Sequence, residues 1–353
     1  MTPQRTDVVV IGGGIAGLSV AARLSRRLRV TVLEREPRLA LHASGRNARQ
    51  MQPSYGPAHI RALTRRTIEL VREIEAEGRL TVLTPRRLGW VARESGRGAF
   101  EAMLAEHPEL EALEGDAVSR RLPLADPGVY RLGAVDREAY EVDVAGLIEQ
   151  LARSSRSNGA RILTGAPAGR IRRTGAAWTV ETPSGRHSAP VVVDAAGAWA
   201  DRIAELAGIP PRGIRSYLRT VVVTEPLRDG GIADGAMISD VEGDFYARPE
   251  GAGLLLSPSD QQEVEAGDAQ PHPGVVAETL RRARERLTVP VPPLARAWAG
   301  LRSMSGGSIP ESGWDAEAEG FFWLAGQGGY GLQTSLALAE KSARLVMSRT
   351  QDI

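Results

Sequence analysis

The sequence predicts an α/β fold of two interleaved domains. The larger domain contains a βαβ unit, and the smaller is an α+β domain built on an antiparallel sheet. Two observations support this class. Short apolar runs near both ends of the chain lead through glycines into amphipathic helices, and stretches of short β-like pieces separate these units. With 353 residues, of which 42% are hydrophobic, the chain is long enough to bury the cores of two domains.

The N-terminal segment predicts a strand, a helix and a second strand. Residues 7–11 form a near-continuous apolar run, which is typical of a strand buried on both faces. Residues 16–27 carry apolar side chains at helical spacing. A second buried strand runs from Val30 to Leu33 and ends at Glu34, which completes the βαβ unit.

The rest of the chain alternates between helical periodicity and β-like pieces. Residues 160–195 predict a β-meander, in which Pro183-Ser184-Gly185 is the turn before the strand 191–193. Asp143 is a suitable N-cap for the helix that follows it. The predicted elements are a polar loop over 42–47, a helix over 57–77, a β-piece over 88–92, a helix over 97–113, a helix from 143 to 157, a β-meander over 160–195, a helix over 274–287, a strand over 321–325 and a helix over 333–347.

This alternation predicts two discontinuous domains. The nucleotide-binding domain takes residues 1–80, 143–212 and 300–353. The substrate-binding domain consists of two insertions, 81–142 and 213–299. Neither internal repeats nor low-complexity tracts interrupt this pattern.

Composition excludes several classes of function. The chain has 44 Lys and Arg against 43 Asp and Glu, so its net charge of +1 does not favour nucleic-acid binding. Because it has no Cys, disulfides, thiolate metal sites, a catalytic Cys and a cysteinyl cofactor link are excluded, and no metal site is predicted. No run of about 20 apolar residues predicts a transmembrane helix, and the run before Gly12 is too short for a signal peptide. We therefore expect a cytoplasmic protein.

The hexapeptide from Gly12 to Gly17 fits the pattern G-x-G-x-x-G between a strand and a helix. Gly12 permits the tight turn, Gly14 allows a pyrophosphate to approach the backbone, and Gly17 allows close packing of the helix on the strand. Ile15 and Ala16 begin the helix, whose free N–H groups and positive dipole end attract phosphates. The pattern therefore predicts a dinucleotide site.

An acidic side chain at the end of the second strand completes this pattern. Glu34 lies 17 residues beyond Gly17, where a carboxylate accepts both hydroxyls of an adenosine ribose. The same negative charge disfavours a 2′-phosphate, which argues against NADP. FAD and NAD both remain open on this motif alone. A second strand-to-glycine turn, at Ala196, Gly197 and Trp199, is in a suitable context to press against the same cofactor.

Three segments together resemble the FAD-dependent D-amino acid oxidase family. They are the polar loop His42-Ala-Ser-Gly-Arg-Asn47 after Glu34, the strand Trp298-Ala-Gly-Leu-Arg-Ser303, and the C-terminal stretch Phe321-Phe-Trp-Leu-Ala-Gly-Gln-Gly-Gly-Tyr-Gly-Leu-Gln-Thr-Ser335. The last stretch is similar to D-arginine dehydrogenase-like and related D-amino acid dehydrogenases. The resemblance covers essentially the whole chain in the order of its elements. It implies a Rossmann-like FAD-binding domain and FAD as the cofactor.

The resemblance also implies where the flavin is held. Ser44, Arg46 and Asn47 offer hydroxyl, guanidinium and amide donors. The glycines between the last strand and helix let the backbone approach the flavin, and the helix start directs a positive dipole toward it. The predicted cofactor contacts are Gly12, Gly14, Ile15, Ala16, Glu34, Arg35, His42, Ala43, Ser44, Arg46, Asn47, Gln50, Ala196, Gly197, Trp199, Gly326, Gly328, Gly329, Tyr330, Gly331, Leu332, Gln333 and Thr334.

For the substrate, the resemblance implies a carboxylate bound by an arginine. Arg302 lies in an apolar context, and its planar guanidinium can hold a carboxylate with two hydrogen bonds. Tyr246 is the predicted second ligand of the carboxylate through its phenol. Arg219, Tyr55 and His42 are further candidates for the reaction site.

The function that follows is FAD-dependent oxidation of the α-carbon of a D-amino acid. Hydride passes from Cα to flavin N5, the imino acid is hydrolysed to a 2-oxo acid and ammonia, and oxygen or a quinone reoxidises the flavin. Arginine is disfavoured as substrate, since Leu80 to Thr84 offers no acidic partner for a cationic side chain. The alternatives are a secondary-amine oxidase of the glycine or sarcosine type, a biosynthetic flavin amine oxidoreductase, and a non-catalytic flavin subunit.

Overall fold

The computed structural model describes residues 3–78, 80–228, 235–306 and 310–350. Short 3₁₀ turns lie at Glu94–Gly96 and Gly197–Trp199. The helices are α1 (Ile15–Leu24), α2 (Ala58–Gly78), α3 (Arg97–Glu106), α4 (Asp116–Arg121), α5 (Val144–Ser157), α6 (Ala200–Leu206), α7 (Pro273–Arg286) and α8 (Gly331–Thr350). The strands are β1 (Gln4–Arg5), β2 (Val8–Ile11), β3 (Val30–Leu33), β4 (Gln50–Met51), β5 (Leu83–Pro85), β6 (Leu88–Ala92), β7 (Glu111–Glu114), β8 (Leu132–Asp136), β9 (Tyr140–Val142), β10 (Arg161–Leu163), β11 (Ile171–Thr174), β12 (Ala177–Thr182), β13 (Gly185–Ala189), β14 (Val191–Asp194), β15 (Arg215–Thr224), β16 (Met237–Asp240), β17 (Tyr246–Glu250), β18 (Gly253–Ser257), β19 (Glu263–Val264), β20 (Leu294–Met304), β21 (Glu311–Trp314), β22 (Phe321–Ala325) and β23 (Gln327–Gly328).

A six-stranded sheet of the order β10-β3-β2-β14-β22-β21 forms the dinucleotide half of the molecule. Its strands run parallel except β21, which is antiparallel to β22. The strands β2, β3, β14 and β22 are buried throughout, as their continuous apolar sequences predict. One face packs against α1 and α8, and the other against α6 and the small sheet β1-β13-β12-β11. The predicted α/β class and the N-terminal βαβ unit are confirmed.

The strand order changes direction at β2. The chain leaves β2 through α1 to reach β3 on one side, and it returns later as β14 on the other side. In an open parallel sheet, a crevice forms outside the carboxyl ends of the strands at such a switch point. The ends of β2, β3 and β14 therefore place Gly12, Glu34 and Ala195 around one crevice.

A second sheet of the order β23-β20-β15-β18-β17-β16-β6-β8-β7 lies across from this crevice, with β19 also paired to β15. One of its faces, with Val222, Ile238 and Leu256, packs against α7. The opposite face carries Val221, Met237 and other side chains of a different apolar cluster. The sheet is mixed: β16 and β6 are parallel, and all other strand pairs of this sheet are antiparallel. The predicted antiparallel substrate unit thus has one parallel junction.

Most predicted helices lie where expected, and α5 begins as the N-cap predicts. The Oδ1 atom of Asp143 accepts a hydrogen bond from the amide of Gly146 at 3.0 Å. The structure does not test the predicted domain boundaries, which remain a prediction; β20 crosses the one at residue 300. Within the described ranges, no helix is both long and apolar enough to cross a membrane.

The prediction of one helix over 97–113 is wrong in its second half. Helix α3 ends at Glu106, and His107 leaves the helical conformation with φ −131° and ψ 65°. The cause is Pro108, because a residue before proline is disfavoured in the α region. The chain continues into β7, which pairs with β8.

The predicted meander over 160–195 is wrong at both ends. Strands β11, β12 and β13 are antiparallel neighbours, but β10 and β14 belong to the parallel sheet. The turn at residues 183–184 leads to β13, not to the strand at 191–194. The run of valines in β14 is apolar on both faces because both faces are covered, which is the pattern of a parallel strand.

Asp194 ends β14 as a fully buried carboxyl group. Its Oδ1 atom accepts a hydrogen bond from the amide of Ala196 at 3.1 Å, and its Oδ2 atom has no partner among the described residues. Burial raises the pKa of this carboxyl well above its ordinary value. The native state therefore keeps a proton at pH values where the unfolded chain has lost it, and this group makes stability fall as pH rises above about 4.

We predict that Asp194→Asn removes this pH dependence while the amide oxygen keeps the hydrogen bond to Ala196. The variant should therefore gain stability relative to the native protein as pH rises from about 4.5 to 8. The difference between their free energies of unfolding should grow by up to about 1.4 kcal/mol for each unit by which the pKa of Asp194 in the folded state exceeds its pKa in the unfolded state. Denaturant unfolding at several pH values measures it. Asp116→Asn, at an exposed site in α4, is the control. A difference for Asp194→Asn that does not change with pH would contradict the prediction.

Candidate functional site

A cavity of about 1080 Å³ lies between the carboxyl edge of the parallel sheet and the open face of the large sheet. It brings together most of the residues predicted from sequence, although they are distributed over the whole chain. The predicted residues in its wall are Gly12, Gly14, Ile15, Ala16, Glu34, Arg35, His42, Ala43, Ser44, Arg46, Asn47, Gln50, Tyr55, Ala196, Gly197, Trp199, Arg219, Tyr246, Arg302, Gly328, Gly329, Gly331, Leu332 and Gln333.

In the turn between β2 and α1, the glycines that face the protein have no room for a side chain, whereas the glycine that faces the cavity has some. Gly12 has φ 113°, and a Cβ on it would lie 2.4 Å from the carbonyl oxygen of Ala195. A Cβ on Gly17 would lie 1.9 Å from the carbonyl oxygen of Gly12. A Cβ on Gly14 would meet only the hydroxyl of Ser44, at 3.2 Å. Gly14 therefore borders open space at the N-terminus of α1, where a phosphate group would be stabilised.

The Glu34 carboxylate is buried at the edge of this space. Its Oε2 atom accepts from the amide of Gly13 at 2.6 Å, and its Oε1 atom accepts from the amide of Glu36 at 2.8 Å. Each oxygen of a carboxylate can accept a further hydrogen bond. Glu34 is therefore held in place by the backbone and can still accept two ribose hydroxyls.

Two aromatic rings, those of His42 and Trp199, and the guanidinium of Arg35 cluster beside Glu34. The ring centroids of His42 and Trp199 are 4.6 Å apart, and the Nε2 atom of His42 lies 3.0 Å from the Oε1 atom of Glu36. The guanidinium carbon of Arg35 lies 5.1 Å from the centroid of Trp199. His42 already has partners in the protein, at the same end of the cavity as Glu34.

Several side chains of the polar loop after β3 are hydrogen-bonded within the protein. The Nδ2 atom of Asn47 donates to the carbonyl of Ser44 at 2.6 Å, and its Oδ1 atom accepts from the amide of Arg49 at 2.7 Å. The guanidinium of Arg46 pairs with Asp268 at 2.6 Å. The Ser44 hydroxyl accepts from the amide of Ile15 at 2.9 Å. Direct contact of these side chains with a cofactor remains a prediction.

Gln50, in contrast, has an amide group without a partner. Both its Nε2 and Oε1 atoms are buried, and neither forms a hydrogen bond within the part of the chain that the structure describes. Buried polar groups are normally paired, because an unpaired one costs free energy. Since Gln50 lines the cavity, a ligand with both donor and acceptor groups would pair this amide.

The loop between β22 and α8 brings backbone close to the large sheet. A Cβ on Gly329 would lie 2.8 Å from the guanidinium carbon of Arg302, so a side chain at this position would displace the guanidinium. Gln333, in the first turn of α8, donates from its Nε2 atom to the carbonyl of Tyr55 at 3.3 Å. The loop therefore places the N-terminus of α8 near Arg302, the arginine predicted to bind substrate.

Three predicted cofactor contacts are not part of the cavity wall. Gly326 adopts φ 63° just after β22, next to Ser305. The ring of Tyr330 packs against Tyr55 with centroids 5.2 Å apart. Thr334 is buried, and its hydroxyl donates to the carbonyl of Tyr330 at 2.9 Å. These residues shape the loop from outside the cavity.

Strand register places the predicted substrate residues on one face of the large sheet. Arg219 of β15 pairs with Gly300 of β20, and Tyr217 pairs with Arg302, so both arginines point to the same face. Because directly paired residues share a face, this face can be followed across the sheet. It continues through Val221, Val223, Leu255, Ser257, Tyr246, Ser239, Met237 and Trp90.

The two arginines face the cavity close together. Burial lowers the pKa of the Arg219 guanidinium, and the charge of Arg302 lowers it further, whereas the phenols of Tyr246 and Tyr55 act in the opposite direction. Tyr246 is only 7% exposed. This end of the cavity is therefore positively charged and contains phenol groups, as a site for a carboxylate requires.

Sequence reasoning missed the apolar wall of this end. Local motifs do not mark these residues, because they come from separate strands and from α3. The even spacing of Met237 and Ser239 in one strand is the only signal that could have placed them on a shared face. The main apolar residues missed are Trp90, Ala99, Ala102, Met103, Val221 and Met237, and the polar residues missed beside them are His107, just after α3, and Ser239.

The residues at the dinucleotide end fit FAD. An open N-terminus of α1, a buried carboxylate with free acceptor capacity and an unpaired amide match a pyrophosphate, a ribose and a heteroaromatic ring with N–H and C=O groups. Among the described residues, no group of three His, Asp or Glu side chains could hold a metal ion.

Comparison with known families agrees with this geometry. Residues 7–345 match the family model described as FAD dependent oxidoreductase (DAO). The chain belongs to this family. The predicted family and FAD as the cofactor are thereby confirmed, whereas the closer likeness to D-amino acid dehydrogenases is not.

Several relatives in this family act on amines. The chain is 25% identical to glycine oxidase of Bacillus licheniformis, over 98% of the chain and 94% of that protein. It is 26% identical to human mitochondrial dimethylglycine dehydrogenase and 30% identical to human mitochondrial sarcosine dehydrogenase, over 74% and 72% of the chain. The chain spans only about a third of the length of these two dehydrogenases.

Solved structures show the same fold. Glycine oxidase from Geobacillus kaustophilus superposes with a TM-score of 0.85 at 20% identity, over 98% of this chain and 95% of that chain. L-Proline dehydrogenase from P. horikoshii superposes with a TM-score of 0.84 at 20% identity, over 99% and 95%. The arrangement of both sheets around the cavity is therefore shared with other members of this fold.

We predict that Gly14→Ala weakens FAD binding at least tenfold without unfolding the protein. Its backbone (φ −78°, ψ −178°) accepts alanine, but the added methyl occupies the space at the N-terminus of α1. Titration of the apoprotein with FAD measures the affinity, and thermal unfolding of the apoprotein checks the fold. Gly313→Ala, with open space around it in β21, is the control. Unchanged FAD affinity would place the phosphates elsewhere.

Proposed function

We propose that this protein uses FAD to oxidise the carbon–nitrogen bond of an α-amino acid, with a small or N-alkylated amino acid of the glycine or sarcosine type as the first candidate. The observation that carries the proposal is the pair Arg302 and Tyr246, on the sheet face that borders the cavity. The names of the amine-oxidising relatives support the same class of substrate.

In this proposal the substrate carboxylate binds to Arg302. A guanidinium donates two parallel hydrogen bonds to a carboxylate and so sets the orientation of the whole substrate. The phenol of Tyr246, almost fully buried, donates a further hydrogen bond. Because the guanidinium packs against Gly329, the carboxylate is held at a set position relative to the glycine loop.

Orientation accounts for much of the catalysis that these residues can provide. Fixing a substrate next to a reactive group removes much of the entropic barrier to reaction. FAD, when bound, supplies the acceptor for two electrons. The apolar side chains of Trp90, Val221 and Met237 exclude water from the same space, which strengthens the charge–charge interaction at Arg302. The imine product is hydrolysed to a carbonyl compound and an amine.

Oxidation of a D-amino acid with a larger side chain is the second candidate. It is favoured by the apolar wall beyond Tyr246, which includes Trp90, Met103 and Met237. A substrate as small as glycine has no group to fill that space. The substrate's size, and not the chemistry at Arg302, separates the two candidates.

Anaerobic mixing of the FAD-loaded protein with amines tests the proposal. The panel contains glycine, sarcosine, dimethylglycine and pairs of D- and L-amino acids, and loss of the oxidised flavin absorbance is followed. Bleaching by glycine or sarcosine supports the first candidate, and bleaching only by D-amino acids supports the second. Admission of air then distinguishes an oxidase from a dehydrogenase. If no amine bleaches the flavin, the proposed function is wrong.

We predict that Arg302→Met lowers kcat/KM for the best substrate by about 30- to 150-fold, since a charge-assisted hydrogen-bonded pair contributes about 2–3 kcal/mol. Arg302→Lys should recover part of the loss, because the charge remains but the paired donors do not. Steady-state kinetics measures both. Arg296→Met is the control, since this arginine lies on the same strand with 63% of its side chain exposed. An unchanged kcat/KM for Arg302→Met would reject the carboxylate site.

A further inference from the structure

We propose that the substrate carries two acidic groups, and that Arg302 and Arg219 each bind one of them. The inference rests on the proposed function, and it narrows the substrate class to an α-amino acid with a second carboxylate. That carboxylate is on the side chain, as in an acidic amino acid, or on the nitrogen substituent, as in an N-carboxymethyl amino acid. Both have the same charges at the site.

The two arginines form a diagonal pair in one antiparallel ladder. Arg219 lies opposite Gly300, and Arg302 lies opposite Tyr217 two residues further along β20. Diagonal neighbours of this kind are separated by about 7–8 Å, within reach of long side chains. Gly300 contributes no side chain between them, and a Cβ there would meet the carbonyl oxygen of Arg46 at 2.9 Å. Both guanidinium groups therefore face the same part of the cavity.

These two arginines differ from the other arginines of the cavity wall in lacking a counter-ion. Arg35 pairs with Glu36, Arg46 with Asp268, Arg49 with Glu250 and Arg61 with Glu106. For Arg219 and Arg302, no carboxylate of the described chain lies within 4 Å. Among the described residues, every other arginine of this wall thus has an ion-pair partner within 4 Å, and Arg219 and Arg302 do not.

Arg219 also has an unused donor. Its Nε atom is buried and has no hydrogen-bond partner within the described ranges. The carboxylate of Asp260, on a neighbouring loop, accepts from the amide and the hydroxyl of Thr220 at 2.6 and 2.7 Å. Its charge raises the pKa of Arg219, but among the described residues it forms neither an ion pair within 4 Å nor a hydrogen bond with that guanidinium. Leaving a buried, charged donor unpaired is costly, so a group from outside the protein is expected to pair it.

One carboxylate leaves one of the two arginines without a direct partner. A carboxylate that accepts two hydrogen bonds from Arg302 leaves the buried Nε donor of Arg219 unpaired, since Asp260 does not hydrogen-bond it. A second carboxylate gives Arg219 a hydrogen-bonded partner, and the phenols of Tyr55 and Tyr246 supply further donors close to Arg219. The expected ligand is therefore a dicarboxylate with its two acid groups a few bonds apart.

The reaction itself is the one proposed above. In the amino acid, a C–H bond and an N–H bond break and a C=N bond forms; two electrons and one proton pass to FAD, and the other proton goes to solvent. Water then adds across the C=N bond. An acidic amino acid gives a 2-oxo dicarboxylate and ammonia, and iminodiacetate gives glyoxylate and glycine.

Ligand binding to the FAD-loaded protein tests the inference without turnover. Propionate and succinate, which are unreactive, are titrated at constant ionic strength, and the change in the flavin absorption spectrum gives each Kd. Succinate should bind at least tenfold more tightly than propionate. Arg219→Gln should weaken succinate at least tenfold and propionate less than twofold, whereas Arg302→Gln should weaken both. Arg219→Lys should recover part of the succinate affinity.

Arg215→Gln is the matched control for Arg219→Gln. It makes the same change on the same strand, at a side chain that is 66% exposed and paired with Glu263. It should leave both Kd values within twofold. Flavin content and the thermal midpoint of each variant show whether the fold is kept. If Arg219→Gln does not fold, Arg219→Lys replaces it, and this variant must weaken succinate by a smaller factor while it leaves the propionate Kd unchanged.

Kinetics with D-aspartate, D-glutamate and iminodiacetate, compared with glycine and sarcosine, then identifies where the second carboxylate lies. For the preferred dicarboxylate, Arg219→Gln should raise KM at least tenfold, with a much smaller change for glycine. A preference for iminodiacetate places the second acid on the nitrogen substituent, and a preference for the acidic amino acids places it on the side chain.

Equal affinity for propionate and succinate would overturn the inference, and so would an equal loss of both in Arg219→Gln or no spectral change with either ligand. Failure of the proposed function gives a different result. If no amine bleaches the flavin but succinate is still preferred through Arg219, the two-acid site is supported and the reaction is wrong. If amines bleach the flavin without this preference, the reaction is supported and the two-acid site is rejected.

Discussion

The close approach of backbone at Gly12 is the constraint on which the rest of this structure depends. At φ 113°, with a carbonyl of the turn after β14 only 2.4 Å from where a Cβ would be, this position accepts no side chain. The contact draws together the ends of β2 and β14, and it leaves the N-terminus of α1 facing open space. The predicted pyrophosphate site depends on this packing.

A second close approach connects the two ends of the cavity. The guanidinium of Arg302 packs against Gly329, so the face of the large sheet that carries Arg302 touches the loop that precedes α8. Arg302 comes from β20 and Gly329 from the loop after β23, which are neighbours through the pairing of Ser303 with Gly328. In the proposed function, adjacent backbone segments would hold cofactor and substrate, and a small shift of either segment would change their relative position.

Much of the site could be predicted because its cofactor half consists of local motifs. The position in the chain is enough to predict a role for glycines between a strand and a helix and for an acidic residue at the end of the next strand. Prediction from sequence is harder where side chains have several possible uses. Asn47 and Arg46 are donors in a polar loop that also bond within the protein, so their contact with the cofactor stays a prediction. Short β segments were also misassigned, since β13 carries little apolar pattern.

The sequence by itself determined the βαβ unit and the dinucleotide motif, because these depend on spacing between residues that are close in the chain. That motif left FAD and NAD open, and FAD followed from the resemblance of three separate segments to a known family. Only the tertiary structure decided which side chains share the substrate end. The positions of Trp90 and Met237, and the absence of counter-ions beside Arg219 and Arg302, result from strand register across the large sheet. Register depends on pairing between distant segments, and a shift of one residue would move every side chain to the other face.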